Sequence, residues 1–296
     1  MSVPAAYLAV VLIWSTTPLA VKWSADGAGF LLGALARMGL AAALCLALVV
    51  ALRVGLPWHR EARRAYATGA LGGYGAMLCV YWAAQYVPSG LISVLFGLSP
   101  LVTALLAGPL LGERALSPAK LAGMAFGLAG LATIFGAGAA LGPQVVAGLA
   151  VLCLGVVLHS LGLVLMKRHR GGLPSLTLTS GTLLVITPLY LLTWLVFDPR
   201  VPADVPPRAL ASIVYLGIVG SVVAFTLFFY MIRHVSAASL ALITLVTPVL
   251  ALLLGAAIEH EPIGPRVWAG TALVLAGLAM SQWGGRLTRR LPVRAE

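Results

Sequence analysis

Charge is what this 296-residue sequence has least of. Asp, Glu, Lys and Arg make up 9% of it, where a soluble domain carries roughly 25%. Acids are scarcest, 8 against 19 Lys and Arg, which leaves a formal net charge of +11. Hydrophobic residues reach 61%, and mean hydropathy is +1.03. A water-soluble core cannot absorb that much apolar sequence, so a soluble protein is excluded and an all-α polytopic membrane protein is implied. Hydrophilic stretches long enough for a separate soluble domain are also missing. The three cysteines, Cys45, Cys79 and Cys153, sit inside apolar runs without metal spacing and read as small core residues. Catalytic patterns are absent: no HExxH, no paired carboxylates within a span, no Cys/His cluster. An enzyme, a metal site and a cofactor are therefore not expected. Glycine-rich runs such as GLAGLA lie in apolar spans without a phosphate-loop Lys. Any energy must come from a gradient.

What is present is apolar sequence in lengths of about 20 residues, enough to cross a bilayer as a helix. Breakers divide the chain into ten spans, near 4–22, 30–52, 65–86, 88–111, 117–137, 145–167, 174–197, 208–232, 236–258 and 264–284. Met1–Ala20 lacks a charged leader and a small-residue cleavage site, so it reads as the first span and not as a signal peptide. Ten spans put both termini on one side. With that side cytoplasmic, the inner loops and tail hold 14 of the basic residues and the outer loops hold four, Lys22, Arg200, Arg208 and Arg266. The bias favours cytoplasmic termini in a plasma (bacterial inner) membrane. The net positive charge then reports orientation and contact with anionic lipid, with no nucleic-acid partner. Arg37 is the remaining basic residue and lies about two turns inside the second span.

The chain also repeats itself. Shifted by 148 residues, Pro100 falls on Pro248 and Glu113 on Glu261; shifted by 147, AGMAFGLAGLA (Ala122–Ala132) matches AGTALVLAGLA (Ala269–Ala279) at eight of eleven positions. The reading is two five-span repeats, 1–140 and 141–285, followed by a basic cytoplasmic tail, 286–296. Five is odd, so the copies enter the membrane in opposite orientations, which is the signature of an alternating-access transporter.

Polar and aromatic groups within spans are costly in lipid and tend to face the bundle interior. In the first span these are Trp14, Ser15 and Thr16, ahead of a helix-loosening Pro18. Tyr74, Tyr81 and Gln85 share helical spacing in the third span. Phe96 and Ser99 precede Pro100 in the fourth, and Thr244 and Thr247 precede Pro248 in the ninth, so both prolines read as hinges. His159 and Ser160 lie deep in the sixth span, where the repeat pairs them with Trp14 and Ser15. A histidine ordinarily titrates near neutrality, and proton coupling through His159 stays open. Ser221 and Phe225 in the eighth span complete the candidate cavity. Glu113 and Glu261 are candidate gate ends, and core packing or a polar hairpin end is the plainer role for several of these residues. Gly123 and Gly127 have small-xxx-small spacing, which predicts close helix packing.

These stretches resemble the drug/metabolite transporter superfamily, specifically the bacterial ten-helix type with two EamA domains. The marks are IWSTTPLAVKW (Ile13–Trp23), LARMGLAAAL (Leu35–Leu44) with Arg37 at the family's Arg position, and Tyr81-Trp82. LSPLVTALLAGPLLGERALSPAKLAG (Leu98–Gly123) is the most specific, repeated as VTPVLALLLGAAIEHEPIGPRVWAG (Val246–Gly270). Where the family often has Arg-Phe this chain has Arg37-Met38, and Thr182 stands where the repeat would place an Arg. The resemblance implies a central cavity lined by the first, third, fourth, sixth, eighth and ninth spans. The functional expectation is a secondary active transporter exporting small neutral or zwitterionic metabolites such as amino acids. A passive facilitator or channel, and a membrane-embedded enzyme, stand as alternatives. A cation pump would want an intramembrane acid, and phosphate-ester antiport would want central Lys/Arg pairs; neither is seen. Monomer and homodimer both remain open.

Overall fold

A computed structural model describes all residues except 1–2, 113–117, 170–172, 225, 228–230, 232–236, 262 and 289–296. Among the described residues every regular element is helical. A chain in hydrocarbon must satisfy its own backbone N–H and C=O groups, and helices do so within one segment. The helices are α1 (Val3–Ala25), α2 (Phe30–Ala51), α3 (residues 60–83), α4 (Ser89–Leu111), α5 (Pro118–Leu141), α6 (Pro143–His169) and α7 (Ser175–Phe197). They continue with α8 (Pro207–Val223 and the described residues after it), α9 (Ala237–Glu259) and α10 (Pro265–Thr288). Six are long and apolar enough to cross a membrane, and Pro207–Val223 and Val246–Glu259 are shorter apolar stretches. The chain is a multi-pass helical membrane protein.

Local sequence explains the ends. α5, α6 and α10 open on Pro118, Pro143 and Pro265. Proline suits a first helical position, whose N–H has no intrahelical acceptor to lose. α4 stops at Gly112, whose φ of 67° is the left-handed conformation that glycine adopts at little steric cost.

Three helices depart from regularity, and not where proline alone predicts. α1 runs unbroken through Pro18. The hydroxyls of Ser15 and Thr17 bond back to the carbonyls of Val11 and Ile13, both at 2.7 Å. α4 is interrupted two residues before Pro100. Its first half ends at Phe96, and Ser99 starts the second. Pro100 then occupies the first turn of the new segment, where its missing N–H costs nothing. Pro248 instead lies buried inside an unbroken α9. The other departure is shared by two helices: α3 contains a π-helical turn at Leu71–Ala76, and α8 contains one at Ile218–Val223, 147 residues later.

Packing pairs the two halves. α1 lies on α8 and α9, while α6 lies on α3 and α4; α2 meets α7, α4 meets α9, and α5 meets α10. Each contact has its counterpart under the sequence repeat. The α5–α10 seam is built on glycine. A Cβ on Gly123 would come within 2.5 Å of the Gly277 carbonyl oxygen, and one on Gly130 within 2.6 Å of that of Gly270. The two helices therefore touch backbone to backbone and run antiparallel. The close packing expected at Gly123 joins helices of one chain; Gly127 packs on Leu98 and Leu101.

Candidate functional site

The polar side chains expected to line a cavity fall into four groups. At the α4–α6 contact, the Ser160 hydroxyl donates to the Ser99 carbonyl oxygen at 3.2 Å, and Ser99 Oγ donates to the Phe96 carbonyl at 2.7 Å. The Phe96 and His159 rings sit 5.7 Å apart. Pro100 has no N–H to offer the Phe96 carbonyl, which accepts from Ser99 Oγ instead. His159 also backs onto the π turn of α3, where a Cβ on Gly72 would lie 3.7 Å from its Nδ1.

A second group joins α1 to α8. Thr16 Oγ1 and the Tyr215 hydroxyl share a hydrogen bond of 2.6 Å. One turn away, Ser221 lies in the π turn of α8 and donates to the Leu216 carbonyl at 2.9 Å. Trp14 packs beside Met231 and Ile243, between α1, α8 and α9. Thr247 is buried on α9. Phe225 and Glu113 lie outside the described residues, as does the side chain of Thr244.

The third group links α3 and α7. Tyr74 shares a 2.6 Å hydrogen bond with Thr193, and the Tyr190 hydroxyl donates to the Tyr74 carbonyl at 3.2 Å. That carbonyl sits in the π turn, where a wider helical loop leaves oxygens open to outside donors. Tyr81 is fully buried, and its hydroxyl has no partner. Gln85, on the same sequence spacing, falls past the end of α3, is exposed, and donates to the Trp82 carbonyl at 3.1 Å. Tyr74, Tyr81 and Gln85 thus do not form one wall.

The fourth group ties helix ends at one face of the bundle. Glu261 follows α9, and its side chain is 3% exposed. It accepts from Lys22 Nζ at 2.9 Å, from the Ser89 N–H at 2.9 Å and from Ser89 Oγ at 3.0 Å. Beside it Glu259 accepts from Trp23 Nε1 at 2.9 Å and from Arg208, whose guanidinium stacks 3.9 Å over the Trp23 ring. Gly255 makes the Glu261 position available, since a Cβ there would collide with the carboxylate. These contacts clamp α1, α4, α8 and α9 together at the Lys22 face. Local sequence offered no sign of the pair, because its partners stand 239 residues apart.

By sequence Arg37 lies about two turns inside the second span. The structure buries it: the residue is 5% exposed, and its Nε donates to Ser221 Oγ at a long 3.4 Å. Among the described residues, no group of three or more His, Cys, Asp or Glu could hold a metal ion.

Comparison with known proteins gives consistent relatives. The chain is 28% identical over 288 residues to Protein PecM of Dickeya dadantii (strain 3937), covering 95% of this chain and 93% of that one. It is 28% identical over 284 residues to a probable terminal-alkyne amino-acid exporter of Streptantibioticus cattleyicolor, covering 93% and 91%. A solved crystal structure, described only as that of a protein, superposes with a TM-score of 0.65 at 26% identity over 97% of this chain and 99% of that one. The EamA-like transporter family model matches twice, over residues 3–136 and 146–282. A bundle whose helices pair half against half, with polar side chains gathered at those contacts, accords with that double match: the chain belongs to the EamA-like transporter family.

Proposed function

We propose that this protein is a secondary active transporter that exports small neutral or zwitterionic metabolites, amino acids among them, across a bacterial inner membrane. It works by alternating access between two inverted halves, residues 1–140 and 141–285, with both termini cytoplasmic. It is not an enzyme and uses no cofactor. The observation that carries this reading is the reciprocal packing of the two family-matching halves, α1 on α8 and α9 and α6 on α3 and α4. A twofold-related arrangement of this kind lets one half rock against the other around polar groups held between them. The antiparallel glycine seam of α5 and α10 supports inversion, since Gly123 meets Gly277 while their repeat counterparts, Gly270 and Gly130, meet each other.

In this reading the Lys22 face is the outer face, and the Glu261 and Glu259 clamps close it. The polar groups on α1, α4, α6 and α8 contact substrate, with His159 the site of proton coupling. The amino-acid class draws support from the Streptantibioticus relative, a probable amino-acid exporter. Purified protein reconstituted into proteoliposomes with labelled amino acids tests the reading. Flux above empty vesicles is expected, with a loss of about tenfold or more in His159→Ala and Trp14→Ala. No flux across a broad amino-acid panel overturns the substrate class. Flux that ignores an imposed pH gradient favours a passive facilitator.

A further inference from the structure

Arg37 poses a physical problem that packing does not answer. It sits two turns inside α2 and is 5% exposed, yet among the described residues its Nη1 has no hydrogen-bond partner, and its one bond is the long contact to Ser221. A buried guanidinium is tolerated when a carboxylate and further acceptors neutralise it. The ion pairs among the described residues go elsewhere: Glu261 to Lys22, Glu259 to Arg208 and Asp198 to Arg200. A second buried donor without an acceptor lies in the same neighbourhood. Tyr81 is 0% exposed with its hydroxyl unpartnered among the described residues, and it lies on the Met77–Ala83 stretch of α3, which packs against α2. Of the four buried side-chain donors without an acceptor among the described residues, on Arg37, Tyr81, Ser180 and Trp194, Arg37 alone is cationic, and an anion is the ligand chemistry that would satisfy it.

The internal repeat shows that the fold does not itself need this cation. The position matching Arg37 is Thr182, which packs on α3 against Gly69 and Gly73. The corresponding helix crossing is thus closed by a small neutral side chain. Arg37 also reaches the bundle centre: its partner Ser221 belongs to the π turn of α8, next to Gly220, where a Cβ would lie 3.9 Å from Thr17 Oγ1 on α1.

We propose that Arg37, with the Tyr81 hydroxyl, binds the carboxylate of the transported substrate; this rests on the transporter reading above and adds a required chemical group to it. The planar guanidinium presents paired N–H groups that match a carboxylate's two oxygens. Desolvation at the buried site strengthens that attraction. Molecules of the same shape with the carboxylate blocked as an amide would leave the cation unneutralised and be rejected.

Thermal unfolding of the full chain in detergent tests this with free L-amino acids, butyrate, the corresponding amino-acid amides and butyramide as probes. At least one acid is expected to stabilise the protein, while its amide is not. Arg37→Gln should weaken that acid's apparent affinity by about tenfold or more, and Tyr81→Phe by about threefold. Arg200→Gln, at an exposed site, should change nothing. If Arg37→Gln does not fold, Arg37→Lys keeps the charge without the planar fork and should bind the acid several-fold more weakly. No stabilisation by any acid, equal stabilisation by acid and amide, or undiminished binding in a folded Arg37 variant overturns the subsite. Proteoliposome flux separates the two ideas. Acid-selective binding without flux overturns the transporter reading and leaves the subsite standing. Equal flux of acids and amides overturns the subsite and leaves the transporter.

Discussion

The α2–α8 and α7–α3 crossings occupy corresponding places in the two halves, yet they are filled by different chemistry. At the first, Arg37 lies over Ser221 with an unpartnered Nη1. At the second, Thr182 packs against Gly69 and Gly73, and Tyr74 and Tyr190 stack edge to face with ring centroids 5.0 Å apart. The second crossing closes without a charge, and there the hydroxyls of Tyr74 and Tyr190 are bonded. Duplication supplies an internal control here: what both crossings share belongs to the fold, and what only one has is available for work.

Several substitutions would break or sharpen that contrast. The largest effect is expected from Thr182→Arg, which forces a guanidinium into the neutral crossing, where the space beside Gly69 and Gly73 is already taken. Overpacking and an unpaired intramembrane charge together should cost about 3 kcal/mol or more. Loss of the monodisperse peak in size exclusion is the readout. The reciprocal change, Arg37→Gln, should leave a folded protein and raise its stability by about 1 kcal/mol or more, because it removes a buried charge that nothing neutralises. A fall in its unfolding temperature without ligand would mean that the two crossings are structurally alike after all.

Gly255→Ala comes next. Its methyl group would push the Glu261 carboxylate away from Lys22 and Ser89, at a cost of about 1–3 kcal/mol. Faster alkylation of a cysteine introduced at Ser89 would report the opened clamp. The matching position in the first half is Ala107. The smallest change is Tyr74→Phe, which removes the 2.6 Å bond to Thr193. It should lower stability by about 0.5–1.5 kcal/mol, measured by thermal unfolding.

Much of this architecture was legible because the bilayer restricts the options. Apolar runs had to be helices, and the bounds of α6 and α9, Pro143–His169 and Ala237–Glu259, lie within two residues of the spans read from breakers. The pairing of distant groups was not legible. Nothing around Glu261 announces Lys22, and nothing around Arg37 announces Ser221, because such contacts depend on how helices far apart in sequence cross. Helix irregularity was only half visible. Pro100 and Pro248 match in sequence, but one follows an interruption and the other rides in a continuous helix. The break falls at Gly97 and Leu98, where Gly97 abuts Pro248; a Cβ there would lie 3.6 Å from the proline ring. The glycines of LGGYGA hint at a loosened helix, whereas IVGSVV, which forms the matching π turn, carries a single glycine and gives little warning.

The paired π turns carry a mechanical consequence. A π turn holds more residues than an α turn, and each added residue rotates the downstream helix by about 100°. Removing one residue from Leu71–Ala76 would therefore swing Tyr81 away from its present neighbours, so the turn works as a register key for everything after it. Two such keys stand 147 residues apart, on corresponding helices. Each turn lies inside one of the two family matches. Tyr74 in one and Ser221 in the other hold the same place in their turns, so both keys set a hydroxyl-bearing side chain at the same step of the helix.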